Sequence, residues 1–200
     1  MLKGKVEPVE NVLFEKLSRL YAKMGDAYDK VAVRIGLSCQ GCPDNCCNSY
    51  FQHHTHIEWA YVWNGMRSCS AERQQAYVER AREYVEESRA VLAQGHRPEV
   101  MCPLNDNGLC GLYEHRLMIC RMHGIPNALV RPDGKRLTFP GCFRCQELCL
   151  QMKEVPVLDR TGFYREMAAL EMAFVGPKGK SLPRVRLTIA EMLVQGPPNV

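Results

Sequence analysis

The chain has no apolar run approaching the roughly 20 residues that cross a bilayer, so no membrane segment is expected. Its start, Met1-Leu-Lys-Gly-Lys-Val-Glu-Pro-Val-Glu10, lacks the apolar core of a secretory signal, and the expected location is the cytoplasm. Also missing are the glycine-rich dinucleotide fingerprint, the P-loop, the Gly-x-Ser-x-Gly elbow and His-Glu-x-x-His, so no substrate class follows from motifs. Between Gly176 and Leu187 there is no acidic residue, and Lys178, Lys180, Arg184 and Arg186 there equal the whole net charge of +4. That basic stretch has no interleaved aromatics, so a solvated linker is favoured over a nucleic-acid contact.

What the chain does have is eleven cysteines in 200 residues. A reducing compartment keeps most thiols reduced, and an odd number cannot pair completely, so metal ligation is favoured over a disulfide framework. One spacing, C-x2-C-x3-C, occurs twice: Cys39, Cys42 and Cys46, followed directly by Cys47, and then Cys142, Cys145 and Cys149. Two residues between cysteines let a tight turn aim both sulfurs at one ion, and a third sulfur four positions on can join them. Gly41 and Pro43 around Cys42 permit the sharp reversal that brings amides to the sulfurs. Neighbours such as Cys46 and Cys47 point in different directions, so either one is a spare or the pair bridges two centres; a vicinal disulfide between them would be strained and is disfavoured.

Cys102, Cys110 and Cys120 are spaced too widely to form a site alone but could supply the ligands each triplet lacks. The candidate metal ligands are therefore Cys39, Cys42, Cys46, Cys47, Cys102, Cys110, Cys120, Cys142, Cys145 and Cys149, enough sulfur for two four-thiolate sites. Cys69 stands apart from them and reads as a packing residue. Four thiolates around zinc or a 2+ iron-sulfur cluster leave a net negative charge, for which Arg116, Arg121, Arg144 and the helix start at Thr55 are candidate partners. His53, His54 and His56 lack the i, i+4 spacing of a helical chelate and read better as hydrogen-bond partners around a site than as ligands. A nucleophile formed by Cys120 with His115 or His123 would require contacts that sequence proximity does not supply.

The first cluster, then Cys102-Pro-Leu, Gly108-Leu-Cys110-Gly-Leu-Tyr113-Glu114-His115-Arg116 and Ile119-Cys120-Arg121, together resemble the zinc- or iron-chelating cysteine-cluster family, whose motif is written CxxCxxCC. The resemblance spans roughly residues 37 to 142, with three residues instead of two before Cys46-Cys47 and with Met118 near where a proline is usual. It implies metal ligation by Cys39, Cys42, Cys46, Cys47, Cys102, Cys110, Cys120 and Cys142. Cys145 and Cys149 rest on spacing alone.

Periodicity places these cysteines. A stripe of Leu13, Leu17, Leu20, Tyr21, Met24, Tyr28 and Val31 predicts a helix over 12–31, with Gly25 a candidate break and Gly36 the stop. Thr55-His-Ile-Glu58 is a capping-box pattern that starts a short helix through Trp63. A helix over 71–94 carries the stripe Tyr77, Val78, Ala81, Tyr84, Val85, Ser88, Val91 and Leu92, ends at Gly95, and shows solvent a charged face of Glu79, Arg82, Glu86 and Arg89. Short segments follow, with turn signals at Asn105–Gly108 and His123–Pro126 and a hairpin around Arg131-Pro-Asp-Gly-Lys135. A helix over 161–175 with Tyr164, Met167, Ala168, Met172 and Val175 on one side precedes a second capping box, Thr188 to Glu191.

The expected fold is mainly α with a cysteine-rich loop and β-hairpin core, a single metal-stabilised domain. Its segments are an N-terminal helical part (1–36), a cysteine-cluster core containing the long helix (37–150) and a C-terminal helical tail (151–200). The expected function is to hold iron, as an iron-sulfur cluster, or zinc, in a redox or accessory role, with a protein partner but neither membrane nor nucleic acid. The competing reading is a structural zinc protein acting as a protein- or nucleic-acid-binding module. The repeated triplet favours iron-sulfur, because structural zinc sites more often combine two separated C-x2-C pairs.

Overall fold

The structure, a computed structural model, describes residues 8–40 and 46–200. Cys42 and its Gly41 and Pro43 turn lie outside the described residues, as do the start of the chain and the side chain of Lys178. The fold is mainly helical with two small sheets. Contacts gather into two units: the first comprises 1–14, 47–117 and 171–200, the second 15–46 and 118–170. Each unit draws on all three segments expected from the sequence.

Helix α1, Pro8–Ile35, buries the predicted stripe except Tyr28, which is half-buried, and extends it: Leu13, Phe14, Leu17, Leu20, Tyr21, Met24, Val31, Ala32 and Ile35 are all buried. Steps of three and four keep these side chains on one face. Gly25 does not interrupt the helix, and an added Cβ there would meet nothing within 4 Å. Gly36 does stop it, at φ +73°, where its amide bonds the Val33 carbonyl at 3.1 Å.

In the first unit, α2 (His56–Arg67) and α3 (Ala71–Ala93) carry most of the core, with α7 (Ile189–Gln195) packed on both. Val62, Trp63, Met66, Tyr77, Ala81 and Leu193 belong to one buried cluster. The Ser70 side chain caps α3 by accepting from the Arg73 amide. As expected, Tyr77, Ala81, Tyr84, Val85 and Ser88 are buried and Glu79, Arg82, Glu86 and Arg89 are exposed, but Leu92, at the last turn of the helix, is exposed too. The predicted capping box of α7 is complete, with Thr188 and Glu191 each bonding the other's backbone amide. The opposite end of α7 is satisfied by both tryptophans: Trp63 Nε1 donates to the Met192 carbonyl at 3.1 Å and Trp59 Nε1 to the Gly196 carbonyl at 2.8 Å.

The capping box expected at Thr55 is not the cap of α2. Thr55 Oγ1 instead donates to Glu58 Oε2 at 2.9 Å and takes no backbone amide. The amides of His56 and Ile57 donate to the two carboxylate oxygens of Glu171, each at 2.9 Å. The positive end of this helix is thus answered by a carboxylate from 115 residues away in the chain, not directed at a cysteine site.

Two two-residue strands, β1 (Asn105–Asp106) and β2 (Leu109–Cys110), form an antiparallel hairpin in the same unit. Asn107 at φ 53° and Gly108 at φ 91° make its turn, the Asn-Gly chemistry that positive φ at both central positions selects. Sequence reading sees the turn here but not the strands.

The second unit holds the three-stranded sheet, in order β4-β3-β5. The predicted hairpin pairs β3 (Asn127–Val130) with β4 (Arg136–Phe139), and β5 (Leu158–Asp159) adds in parallel on the other side of β3. Helices α4 (Met118–Met122) and α5 (Phe143–Cys149) flank the β3–β4 hairpin in sequence. Helix α6 spans Thr161–Val175 as predicted, but its buried face differs: Met167 is buried while Ala168 and Met172 are exposed.

Candidate thiolate centres

Ten of the eleven cysteines are described, all as thiols. The division into units sorts them. Cys47, Cys69, Cys102 and Cys110 lie in the first unit; Cys39, Cys46, Cys120, Cys142, Cys145 and Cys149 lie in the second. Cys46 and Cys47, bonded neighbours in a 3-10 turn over Cys46–Asn48, therefore fall on opposite sides of the division.

In the first unit the Cys102 amide donates to the Cys47 carbonyl at 2.8 Å, joining the end of the first cluster to the Cys102-Pro-Leu segment. Two short turns of the same design follow. In Cys102-Pro-Leu104 and in Cys110-Gly-Leu112, the backbone amide two residues on hydrogen-bonds the cysteine sulfur, and the leucine that carries it is buried. The hairpin links the turns, and the Gly111 amide donates to the Leu104 carbonyl at 2.7 Å. Burial pushes the Cys102 thiol up to about 12, with the neighbouring sulfurs of Cys47 and Cys110 adding to the rise and Arg80 opposing it. Burial raises Cys110 as well, opposed by the Leu112 amide and by Arg116. These thiols are held neutral by burial, while the amides and arginines around them favour the thiolate.

The hairpin is braced by a polar group on α3 that sequence reading did not single out. Asp106 accepts from Tyr77 Oη at 2.5 Å, from Arg73 at 2.7 Å and from Arg80 at 2.9 Å. Arg80 also donates to the Asn105 carbonyl at 2.7 Å and lies over the Tyr77 ring, 4.8 Å from its centroid. Although burial opposes ionisation, these donors hold the Asp106 carboxyl below its ordinary value. A Cβ on Gly111 would run into the Tyr77 hydroxyl and Asp106, so the residue after Cys110 must be glycine for the hairpin to sit this close.

In the second unit, Cys142 is the residue before the first turn of α5, and Cys145 and Cys149 follow at i+3 and i+7, which sets the triplet along one helix face. Cys145 is fully buried, and its sulfur lies 3.9 Å from that of Cys149. Around them pack Val31, Ala32, Ile35 and Ile125, with Tyr28, Leu37 and Leu158 at the margin. Burial and the Cys149 sulfur push the Cys145 thiol up to about 12. The Tyr28 phenol, raised first by burial, feels Cys39, Cys142 and Cys46 and shares a hydrogen bond with Cys39. Gly124, at φ +120°, leaves the room that the Tyr28 hydroxyl occupies. The Cys142 amide donates to the Gly124 carbonyl at 3.1 Å.

The remaining predicted residues take other roles. Cys120 sits half-buried on α4. Cys69 packs against the first-unit core, its sulfur 3.7 Å from the Gly65 carbonyl. His56 Nδ1 lies 2.8 Å from Glu171 Oε1, and His54 Nδ1 lies 3.3 Å from the Val185 carbonyl. His53 is fully buried, paired with Leu187 through backbone bonds, and burial lowers it to about 3. None of these three contacts is to a cysteine. His115 stacks on the Tyr61 ring at 4.6 Å. Arg116 covers the Tyr113 ring at 3.8 Å, and Arg121 covers Tyr21 at 4.3 Å. In the basic stretch, Arg186 donates to Gln52 at 2.8 Å.

Among the described residues, no group of three or more His, Cys, Asp and Glu side chains is arranged to hold a metal ion. The donor set does fit a thiophilic metal: soft sulfurs, exposed at Cys39 and Cys46 and shielded by burial at Cys102, Cys110 and Cys145, with amide donors already on Cys102 and Cys110. No helix of the described residues is long and apolar enough to cross a membrane. No family model, curated protein or solved structure matches the chain.

Proposed function

We propose that this chain is a cytoplasmic metal-binding protein of the cysteine-cluster kind, holding iron as an iron-sulfur cluster, or zinc, through its clustered thiolates in a redox or accessory role. The observation that supports this best is the pair of matching turns at Cys102 and Cys110. Each aims a backbone amide at its own sulfur, on a hairpin braced by Asp106, Tyr77 and two arginines. Buried neutral thiols need no such donors, whereas thiolates bound to a metal gain from them.

The residues would act as follows. Cys47, Cys102 and Cys110 give up their protons and present sulfur to the cation. The Leu104 and Leu112 amides keep their hydrogen bonds and spread the negative charge, while Arg80 and Arg116 offset it. An iron-sulfur cluster would supply one-electron transfer, whereas zinc would supply only a cross-link between loops. Because the thiols must deprotonate, binding is coupled to proton release.

Anaerobic purification followed by elemental analysis and an absorption spectrum tests the reading. Iron with acid-labile sulfide and a brown colour supports the cluster, and colourless protein with zinc supports the cross-link. Protein with neither metal after reconstitution would refute both.

A further inference from the structure

The ligand set need not serve one centre, and the fold divides it at a single peptide bond. On one side, the Cys47 carbonyl accepts the Cys102 amide, and the paired strands Asn105–Asp106 and Leu109–Cys110 carry the chain from Cys102 to Cys110. All three belong to the first unit. On the other side, Cys46 belongs to the second unit with Cys39 and Cys142. There Tyr28 packs in one cluster with Cys142, its hydroxyl bonds Cys39, and its site is cleared by Gly124, whose carbonyl takes the Cys142 amide. Residues adjacent in a chain cannot readily turn both side chains to one small ion, and here each has a separate set of neighbours.

Resting on the function proposed above, we infer that the chain builds two independent thiolate centres, one on Cys47, Cys102 and Cys110 and the other on Cys39, Cys46 and Cys142. Each takes one thiophilic cation or cluster. The Cys46-Cys47 pair is where the ligand set parts, so each of its members is essential to a different centre. Tyr28 is a positioning residue of the second centre, its hydroxyl directed at the Cys39 sulfur.

The test is anaerobic titration of the metal-stripped full chain with Co2+ alone, reading the sulfur-to-cobalt charge-transfer band, with far-UV circular dichroism on each variant. The unsubstituted chain is expected to take up about two equivalents with thiolate bands. Cys47→Ser and Cys102→Ser each lose one equivalent and keep the other, and Cys46→Ser and Cys142→Ser do the same for the opposite centre. The double variant Cys47→Ser/Cys142→Ser takes up none. The equivalent retained in each single variant shows that it has folded. Tyr28→Phe keeps both equivalents but shifts the band of the centre that survives in Cys47→Ser and leaves the other band unmoved. Uptake of one equivalent by the unsubstituted chain, or loss of the same equivalent by Cys46→Ser and Cys47→Ser, overturns the two-centre inference and leaves the metal reading standing. Loss of both equivalents in all of Cys47→Ser, Cys102→Ser and Cys110→Ser also overturns it. A chain that takes up no Co2+ with a sulfur band contradicts the metal reading itself.

Discussion

The carboxylate of Glu171 receives the backbone amide of His56 at 2.9 Å and approaches its ring Nδ1 at 2.8 Å, so one acid closes the first turn of α2 and fixes the histidine beside it. With the Ile57 amide on its second oxygen, Glu171 satisfies two amides that would otherwise lack partners at a helix start. Glu171→Ala is expected to cost about 1–3 kcal/mol, the range for removing hydrogen bonds to a charged group. Thr55→Ala, which removes only the contact to Glu58, is expected to cost less than about 1 kcal/mol. Urea denaturation of the two variants decides it, and an equal or larger loss from Thr55→Ala would restore threonine as the cap.

His53 gives the protein an acid-sensitive element. Folded, its ring is held neutral down to about 3 by burial, with His54 adding to the effect, whereas an unfolded histidine protonates near 6.5. The folded value is the lower one, so below pH 6.5 the unfolded chain binds the extra proton and stability falls as pH falls. The slope approaches about 1.4 kcal/mol per pH unit for one such group. Denaturation midpoints measured from pH 7 to pH 5 should drop, and His53→Gln should flatten that slope. An unchanged slope in the variant would locate the sensitivity elsewhere.

Gly111 is the tightest point of the first-unit hairpin. An added methyl group would collide with the Tyr77 hydroxyl and Asp106, so Gly111→Ala should cost about 1–3 kcal/mol through overpacking. It should also weaken Co2+ uptake by the Cys110 centre without touching the other. Equal uptake at both centres with unchanged stability would show that the hairpin has slack the distances do not reveal.

Gly25 is the converse. It lies inside α1 with open space where a Cβ would go. Gly25→Ala should therefore stabilise the chain by about 0.5–1 kcal/mol, the helix preference of alanine over glycine. A lower thermal midpoint would mean that α1 uses flexibility at this position.

The parts of this fold that were legible are those that repeat with a period. The stripe from Leu13 to Val31 outweighed the glycine in its midst because burial of several large side chains exceeds a propensity cost of about 1 kcal/mol. The box at Thr188 could be read because both of its members lie within four residues. The superficially identical pattern at Thr55 failed as a cap for a reason no local pattern contains: a stronger acceptor, Glu171, arrives from far along the chain. In α6 the boundaries were legible, but packing buried Met167 and left Met172 exposed. The cysteine spacings singled out candidates, while their sorting between the two units depended on tertiary placement. Nothing in Cys46-Cys47 as a sequence says that Cys47 falls in one unit with Cys102 and Cys110 while Cys46 falls in the other with Cys39 and Cys142. The bracing of Asp106 by Tyr77, Arg73 and Arg80 was hidden for the same reason, since its members lie 26 to 33 residues apart.

The most direct test of the account is X-ray absorption at the edge of whichever metal, iron or zinc, the anaerobically purified chain retains. The account predicts a first shell of sulfur at about 2.3 Å. Cys102→Ser and Cys142→Ser should each retain less metal per chain, while the metal that remains keeps its sulfur shell. A first shell of nitrogen and oxygen, or a metal content unmoved by either substitution, would contradict it.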